Sequence, residues 1–313
     1  MARRSFLRQL AGLPLIAAAS ATASNALDIA VTPQRPPQFE MEVKTTRLTD
    51  GLYVLEGAGG NVAAFVWDDG VLLVDDKLAP ASPGLKAAVA AISPRPVRFV
   101  VNTHWHRDHS GGNEALAGDG SVIVAHENVR RRMGVDSFIA VFGRRAPASP
   151  PKALPIVTFT RDVTFHLGGE EISVVHVGPA HTDGDSFVRF RRANVLHMGD
   201  CYLNGSFPVV DFSNGGVFTG IIAAADTALG MLDARTRIIP GHGPIAGDHD
   251  LRRWREMLAT IDERVKKAVA AGATLEQVKA GRPAKEWDQR FPGSFVTSDH
   301  VVEEAYRAVR SGE

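Results

Sequence analysis

Short apolar runs, each bounded by glycine, proline or charged residues, recur along most of the chain. Runs of this kind, rich in Val, Ile and Phe, are typical of buried strands. Two of them flank an Asp-Gly turn at 68–70, which predicts a hairpin. Stretches with helical composition alternate with these runs, and the C-terminal third looks mostly helical. The alternation predicts a layered α/β protein.

The predicted elements can be placed along the chain from these runs and their boundaries. The proline-rich stretch 146–155 is predicted to be a surface loop, with a lid over a site as one interpretation. The predicted strands are 52–55, 61–67, 71–74, 97–101, 122–124, 163–167, 172–177, 187–190, 195–198 and 237–240, and the predicted helices are 82–92, 127–133, 216–232, 251–271 and 298–310.

Histidine and aspartate residues gather where predicted strands end. The strand 97–101 runs into a segment in which three histidines and an aspartate fall within six residues. Three later strands end in glycine- or proline-marked loops that carry one histidine or aspartate each. Because sites in α/β proteins collect beyond the carboxyl ends of strands, we expect these loops to meet at one edge. The candidate residues are His104, His106, Asp108, His109, His181, Asp200 and His242.

The residue types in the first loop indicate a metal site. Alternate positions of an extended chain face the same way, so His104, His106 and Asp108 can converge, with His109 entering from the adjacent face. Imidazole nitrogens and carboxylate oxygens are ligands that suit Zn²⁺. Packing alone is a poor explanation, because each buried ionisable group needs its own partner. The same ligands also accept manganese or iron.

The ordered set His104-x-His106-x-Asp108-His109, followed by His181, Asp200 and His242, resembles the metallo-β-lactamase superfamily from about residue 52 to residue 247. The resemblance implies an α/β fold: an αβ/βα four-layer sandwich of two mixed β-sheets flanked by helices, with two metal ions at one edge. It also implies the ligands of each ion. They are His104, His106 and His181 for the first zinc, Asp108, His109 and His242 for the second, and Asp200 as the bridge between them.

The implied chemistry is hydrolysis by a hydroxide that bridges two zinc ions. Two cations lower the pKa of a shared water towards neutrality and polarise a carbonyl group. Asp108 is the candidate catalytic residue, because it both binds metal and orients the hydroxide. The expected reaction is cleavage of a carbonyl–heteroatom bond in a small-molecule substrate. The narrowest prediction is a β-lactam-like cyclic amide, and the alternatives are a lactone or a thioester.

The match to zinc β-lactamases themselves is incomplete. The best-known of those enzymes have a cysteine at the position of Asp200, no histidine at the position of His109, and a substrate-gripping lysine where Leu203 stands. Cys201 is an alternative ligand, although it lies one position after the place that the cysteine takes in those enzymes. The presence of both His109 and Asp200 is similar to the thioesterases, lactonases and broad hydrolases of the superfamily.

The N-terminus has the pattern of a bacterial twin-arginine signal peptide, assigned to residues 1–26. Arg3 and Arg4 precede a short apolar stretch and small residues, with cleavage expected after Ala23 or Ala26. The catalytic domain with its C-terminal helical region is then 27–313. We expect a periplasmic protein whose signal engages the Tat export machinery. The apolar stretch is too short for a stable membrane span.

Composition limits the remaining possibilities. The 313 residues carry a formal net charge of zero, so no nucleic-acid partner is expected. A non-catalytic alternative is a periplasmic accessory of a quinoprotein oxidation system. Cys201 is the only cysteine, which excludes an intramolecular disulfide.

The remaining histidines are interpreted as structural or solvent-exposed, with His197 as a possible neighbour of the site: His126, His166, His176, His197, His249 and His300.

Overall fold

The computed structural model describes residues 42–312 of the chain. The proposed signal peptide, 1–26, lies outside the described residues. Within the described range, none of the helices combines the length and the apolar character needed to cross a bilayer.

Strands form the first two thirds of the described chain, and long helices follow. The strands are β1 Lys44–Thr49, β2 Leu52–Glu56, β3 Val62–Trp67, β4 Gly70–Val74, β5 Val97–Val101, β6 Val122–His126, β7 Ser137–Ile139, β8 Arg144–Ala146, β9 Val157–Phe159, β10 Asp162–Leu167, β11 Glu170–His176, β12 Ser186–Phe190, β13 Val195–His197 and β14 Arg237–Ile239. The α-helices are α1 Ser82–Ile92, α2 Arg107–Ser110, α3 Asn113–Gly118, α4 Glu127–Met133, α5 Phe218–Met231, α6 Asp248–Ala270, α7 Leu275–Ala280 and α8 Ser298–Ser311.

A seven-stranded mixed sheet has the order β1-β2-β3-β4-β5-β6-β9. The hairpin predicted around 68–70 is present, because β3 and β4 pair antiparallel across that turn. Every residue of β4 is buried, as expected for a parallel strand that is covered on both faces. Since β4, β5 and β6 run parallel, the chain leaves all three at the same edge of the sheet.

A five-stranded mixed sheet has the order β10-β11-β12-β13-β14. Its first four strands form an antiparallel meander, and β14 returns parallel to β13. The strands β11, β13 and β14 therefore point in one direction, and the loops after them share one edge.

The two sheets pack face to face. Their shared apolar layer includes Leu52 and Phe65 from the first sheet and Ile172 and Val188 from the second, all buried. The helices α1 and α3 cover the outer face of the first sheet, and α5, α6 and α8 cover the outer face of the second. This architecture confirms the predicted αβ/βα four-layer sandwich.

The structure adds short elements that the apolar pattern does not reveal. The strands β1, β7, β8 and β9 and the helix α7 lie outside the predicted elements, since each is short or mostly exposed. A further difference concerns the histidine segment. Asp108 and His109 lie on the single helical turn α2 rather than in an extended chain. The stretch 146–155, predicted to be a surface loop, is partly packed against the protein, because Ala146 and Ala153 are buried in a cluster with Trp105.

Candidate metal centre

The site forms where the carboxyl ends of strands from both sheets meet. The loop after β5 carries four of the candidates, which are His104, His106, Asp108 and His109. The loops after β11, β13 and β14 carry His181, Asp200 and His242. All seven candidates meet there, in three overlapping groups whose ligand atoms lie within 4.8 Å of one another. The first group is His104, His106 and His181, and the second is Asp108, His109 and His242. The third, His104, His109 and Asp200, overlaps both.

The first group consists of three buried imidazole rings. Nε2 of His181 lies 2.9 Å from Nδ1 of His106, so these nitrogens face each other. The ring of His104 stands nearly perpendicular to both neighbouring rings. Its Nδ1 contacts the Thr103 hydroxyl at 3.0 Å, which leaves Nε2 directed into the group.

The second group combines two imidazole rings with a carboxylate. Nε2 of His242 lies 3.1 Å from Oδ2 of Asp108 and 3.2 Å from Nε2 of His109. The side chain of Asp108 is 33% exposed, whereas that of His109 is fully buried. Asp108 is therefore the charged group through which this side of the site opens to solvent.

Asp200 lies between the two groups. Its Oδ1 is 3.0 Å from Nε2 of His109, and its Oδ2 is 3.6 Å from Nε2 of His181 and 3.7 Å from Nε2 of His242. One carboxylate thus reaches histidines of both groups, which is the arrangement that a bridging ligand requires.

Two aspartates outside the predicted set orient the histidines. Asp75, at the end of β4, lies 2.7 Å from Nδ1 of His109 and also accepts hydrogen bonds from the backbone and side chain of Thr103. Asp211 lies 2.9 Å from Nε2 of His106, which turns Nδ1 of that ring towards the group. Carboxylates in this role fix the tautomer of a ligating histidine.

The loop 206–211 supplies further support from the C-terminal helices. The Val209 carbonyl lies 2.6 Å from Nδ1 of His181, and the next amide, of Val210, donates to the buried carboxyl of Glu304 on α8. The indole of Trp254 on α6 donates to the Ser206 carbonyl at 2.9 Å. The helices α6 and α8 therefore hold the segment that orients both His181 and His106.

The residues present fit a metal ion. His104 Nε2 is buried without a hydrogen-bond partner, and Asp200 Oδ1 has only a poorly directed contact with His109. Leaving such atoms unpaired in a protein interior is costly. The facing nitrogens, 2.9 and 3.2 Å apart, approach the roughly 3.4 Å expected for two nitrogens on one tetrahedral zinc ion. Histidine and carboxylate are also the donors that zinc prefers.

The electrostatics of the cluster are those of a cation site. Burial disfavours the charged form of His109, but the carboxylates of Asp200, Asp108 and Asp75 outweigh it and raise the pKa of the ring well above its usual value. Burial would likewise raise the pKa of Asp200, yet the nearby histidines, His109 and His242 first, hold that pKa well below its usual value. The site therefore favours positive charge at His109 and an ionised carboxylate at Asp200, whereas burial lowers the pKa of His104 well below its usual value.

Cys201 belongs to none of the three candidate groups. Its thiol donates to Oδ2 of Asp185 at 3.4 Å, and burial together with that carboxylate raises the pKa of the thiol well above its usual value. A neutral thiol is a poor ligand for zinc. In this structure it is Asp200, not Cys201, that faces the histidines. Leu203 is buried and forms a backbone bridge with His242.

The other histidines lie outside the three groups. His197 is buried, with its ring 3.0 Å from the Asn61 carbonyl and accepting from the amide of Gly199 beside Asp200. It thereby supports the loop that carries a candidate ligand. His126 and His176 stack on each other with ring centroids 3.8 Å apart.

Gly241 allows the loop after β14 to approach Asp200 closely. A Cβ atom there would lie 1.9 Å from Oδ1 of Asp200 and 2.7 Å from the backbone of Gly199. We expect Gly241→Ala to displace Asp200, with reduced zinc content and an overpacking cost of about 1–3 kcal/mol in the free energy of unfolding. Metal analysis and thermal unfolding measure both effects.

The matched control for this change is Gly230→Ala. Gly230 lies in α5, and apart from its chain neighbours and its own helix backbone no atom lies within 4 Å of the added Cβ. Alanine favours a helix over glycine by about 1 kcal/mol, so zinc content should stay unchanged and stability should hold or rise. Normal zinc content and stability in Gly241→Ala would contradict the assigned role of this close approach.

Asp75 and Asp211 are the site residues that sequence reasoning missed. Asp75 had a usable signal, since it directly follows the apolar strand β4, which neighbours β5. Asp211 had none, because it stands in a loop with no motif around it and reaches His106 only through the fold.

Comparisons with known proteins agree with this geometry. The family model described as Metallo-beta-lactamase superfamily matches residues 57–265. The chain is 28% identical over 160 residues to 2,4-dinitroanisole O-demethylase subunit alpha of Nocardioides sp. strain JS1661, covering 50% of this chain and 44% of that protein. It is 25% identical over 203 residues to beta-lactamase-like protein 2 homolog of Drosophila melanogaster, covering 60% of this chain and 62% of that protein.

Two solved structures show the same fold. A metallo-beta-lactamase from Pontibacter korlensis matches with a TM-score of 0.58 at 19% identity, covering 70% of this chain and 99% of that one. The stereoselective inverting sec-alkylsulfatase Pisa1 from Pseudomonas sp. matches with a TM-score of 0.62 at 17% identity, covering 85% of this chain and 50% of that one. At these identities the likeness concerns the fold alone.

Proposed function

Because the chain belongs to the metallo-beta-lactamase superfamily, we propose that it is a dinuclear zinc hydrolase that cleaves a carbonyl–heteroatom bond. The observation that carries the proposal is the meeting of the two three-residue groups around the shared Asp200. A structural zinc site is closed by four ligands, so the seven candidate ligands exceed what such a site requires.

The proposed ligands divide as the geometry groups them. His104, His106 and His181 would hold one zinc, Asp108, His109 and His242 would hold the other, and Asp200 would serve both. When bound there, the ions would lower the pKa of a water molecule and polarise the carbonyl group of a substrate.

The chain's own groups prepare the site for this reaction. The partly exposed carboxylate of Asp108 is placed to orient the attacking water by a hydrogen bond. The Val209 carbonyl and the Asp75 carboxylate hold the Nδ1 sides of His181 and His109, so that Nε2 of each ring faces the site. No serine or cysteine nucleophile is required.

We propose a β-lactam-like cyclic amide as the first class to test, with lactones and thioesters next. One relative of this chain bears a name that concerns a different substrate, an aromatic ether. We further propose that the protein acts in the periplasm after twin-arginine export. Fractionation of cells that carry the Arg3→Lys, Arg4→Lys double variant tests this location.

The deciding experiment measures the metal content of the purified protein together with nitrocefin hydrolysis before and after chelation. About two zinc ions per chain and chelator-sensitive turnover support the hydrolase. If two zinc ions are bound and only lactones or thioesters are turned over, the proposed mechanism stands and the substrate is a lactone or a thioester rather than a β-lactam. One iron, or no metal, contradicts the dinuclear site. Bound zinc without turnover on the whole panel favours the alternative, a periplasmic accessory of a quinoprotein oxidation system.

A further inference from the structure

An aromatic side chain from the C-terminal segment lies against one of the candidate ligands. The ring of Phe295 meets the ring of His242 edge-on, with centroids 5.0 Å apart and planes inclined by 68°. Phe295 is nevertheless 55% exposed. The other non-histidine ring that contacts a ligand histidine in the described chain is Trp105, which packs on His106 and is buried. Phe295 thus presents a free apolar face beside the second ligand group.

The backbone around Phe295 is anchored rather than loose. Oγ of Ser294 lies 2.8 Å from Oγ of Ser206 and accepts a hydrogen bond from the amide of Phe207 at 3.0 Å. The ring of Phe291 packs on that of Phe207 with centroids 5.1 Å apart. The segment 291–295 is therefore tied to the same loop, 206–211, that orients His181 and His106.

This placement differs from the ordinary exposure of a single apolar residue, which is common on protein surfaces. Phe295 is held in contact with a ligand ring by anchored neighbours on its N-terminal side. It also lies beyond residue 265, where the match to the family model ends. The ring is thus a feature that the C-terminal region of this chain brings to the site.

We propose that Phe295 determines specificity by packing against an apolar, preferably aromatic, group on the substrate next to the bond that is cleaved. The inference rests on the proposed function, since it places the reacting group of the substrate at the metal centre. An aromatic group that enters beside His242 meets the exposed face of Phe295, and two such rings attract each other in edge-on or offset arrangements. Small substrates with only a methyl group at this position gain no such contact.

The test measures binding rather than turnover, with phenylacetate and acetate as the probes. Both carry a carboxylate for the metal centre, and they differ only in the phenyl ring. Isothermal titration calorimetry of the zinc-loaded wild type is expected to show about tenfold or tighter binding of phenylacetate relative to acetate. In Phe295→Ala this ratio is expected to fall to about threefold or less, while the affinity for acetate stays within about twofold.

Two further variants and a control make the result specific. Phe295→Trp should retain the phenylacetate preference, and Phe295→Leu should give an intermediate ratio. Ile156→Ala removes another exposed apolar side chain, 70% exposed, just before β9 and away from the strand ends that carry the ligands. It should leave the ratio unchanged. Zinc content is measured for each variant, so that loss of metal is separated from loss of the apolar contact.

The outcomes separate this inference from the proposed function. An equal preference for phenylacetate in wild type and Phe295→Ala at full zinc occupancy, or no phenylacetate preference in the wild type, overturns the role of Phe295. Either result leaves the proposed function intact, because hydrolysis of substrates with only a methyl group at this position does not require Phe295. A binding ratio that depends on Phe295, without turnover of any substrate, supports the role of Phe295 and contradicts the proposed function.

Discussion

Asp108→Ala is expected to lower kcat/KM on the best substrate of the panel by about 10³-fold or more. Oδ2 of Asp108 lies 3.1 Å from Nε2 of His242 and 3.7 Å from Nε2 of His109, so the carboxylate belongs to the second ligand group. It is also the most exposed carboxylate of the site, with the side chains of Asp200 and Asp75 being 9% and 0% exposed. Asp108 is therefore the carboxylate of the site that is most accessible to water and substrate.

Steady-state kinetics and zinc analysis on the same preparation measure this effect. The matched control is Asp119→Ala, which removes an exposed carboxylate that pairs with Lys86 at 2.8 Å just after α3. Its turnover should match the wild type, because surface ion pairs contribute about 0–1 kcal/mol and this one lies outside the ligand groups. Unchanged turnover of Asp108→Ala at full zinc occupancy would refute the role given to this residue.

Asp200→Asn is expected to reduce zinc from about two ions per chain to about one or fewer and to lower kcat/KM by at least about 10²-fold. The substitution keeps the size of the side chain but removes the negative charge that offsets repulsion between two cations. Asp200 reaches histidines of both groups, with distances from 3.0 to 3.7 Å. Loss of its charge therefore affects both sites together.

Cys201→Ser is the neighbouring control and decides which residue is the ligand. A serine hydroxyl can replace the thiol as the donor to Asp185, so zinc content and turnover should remain near those of the wild type. The reverse pattern, with zinc lost in Cys201→Ser and retained in Asp200→Asn, would show that the loop rearranges around metal and that Cys201 is the ligand. Both variants are compared by metal analysis and circular dichroism, so that misfolding is recognised.

Most of the fold was predictable because its elements follow local patterns. The strand β5 and the helices α1 and α4 have the bounds that their apolar runs and flanking residues predict. The strands β7 and β8 have three residues each, too few to produce a readable alternation. Helix α7 has six residues, and only Val278 of them is buried, so it too gives little periodic signal.

The sequence by itself determined the chemistry of the candidate centre. Histidine and aspartate at the ends of apolar runs mark possible ligands, because metal preference depends on side-chain type and strand ends share an edge. All seven residues predicted in this way lie within the three groups. The alternation of strands and helices likewise predicted a layered α/β protein, since burial of one face requires a second layer, whereas the two-sheet sandwich was implied by the family resemblance.

Only the tertiary structure decided which groups orient and border those ligands. Asp211 is 105 residues from His106 along the chain, and Asp75 is 34 residues from His109. Glu304 and Phe295 reach the site from the C-terminal helical region, through the loop 206–211 and through His242. No local pattern encodes such contacts, because they exist only after the two sheets and the outer helices have packed and fixed the distances between side chains.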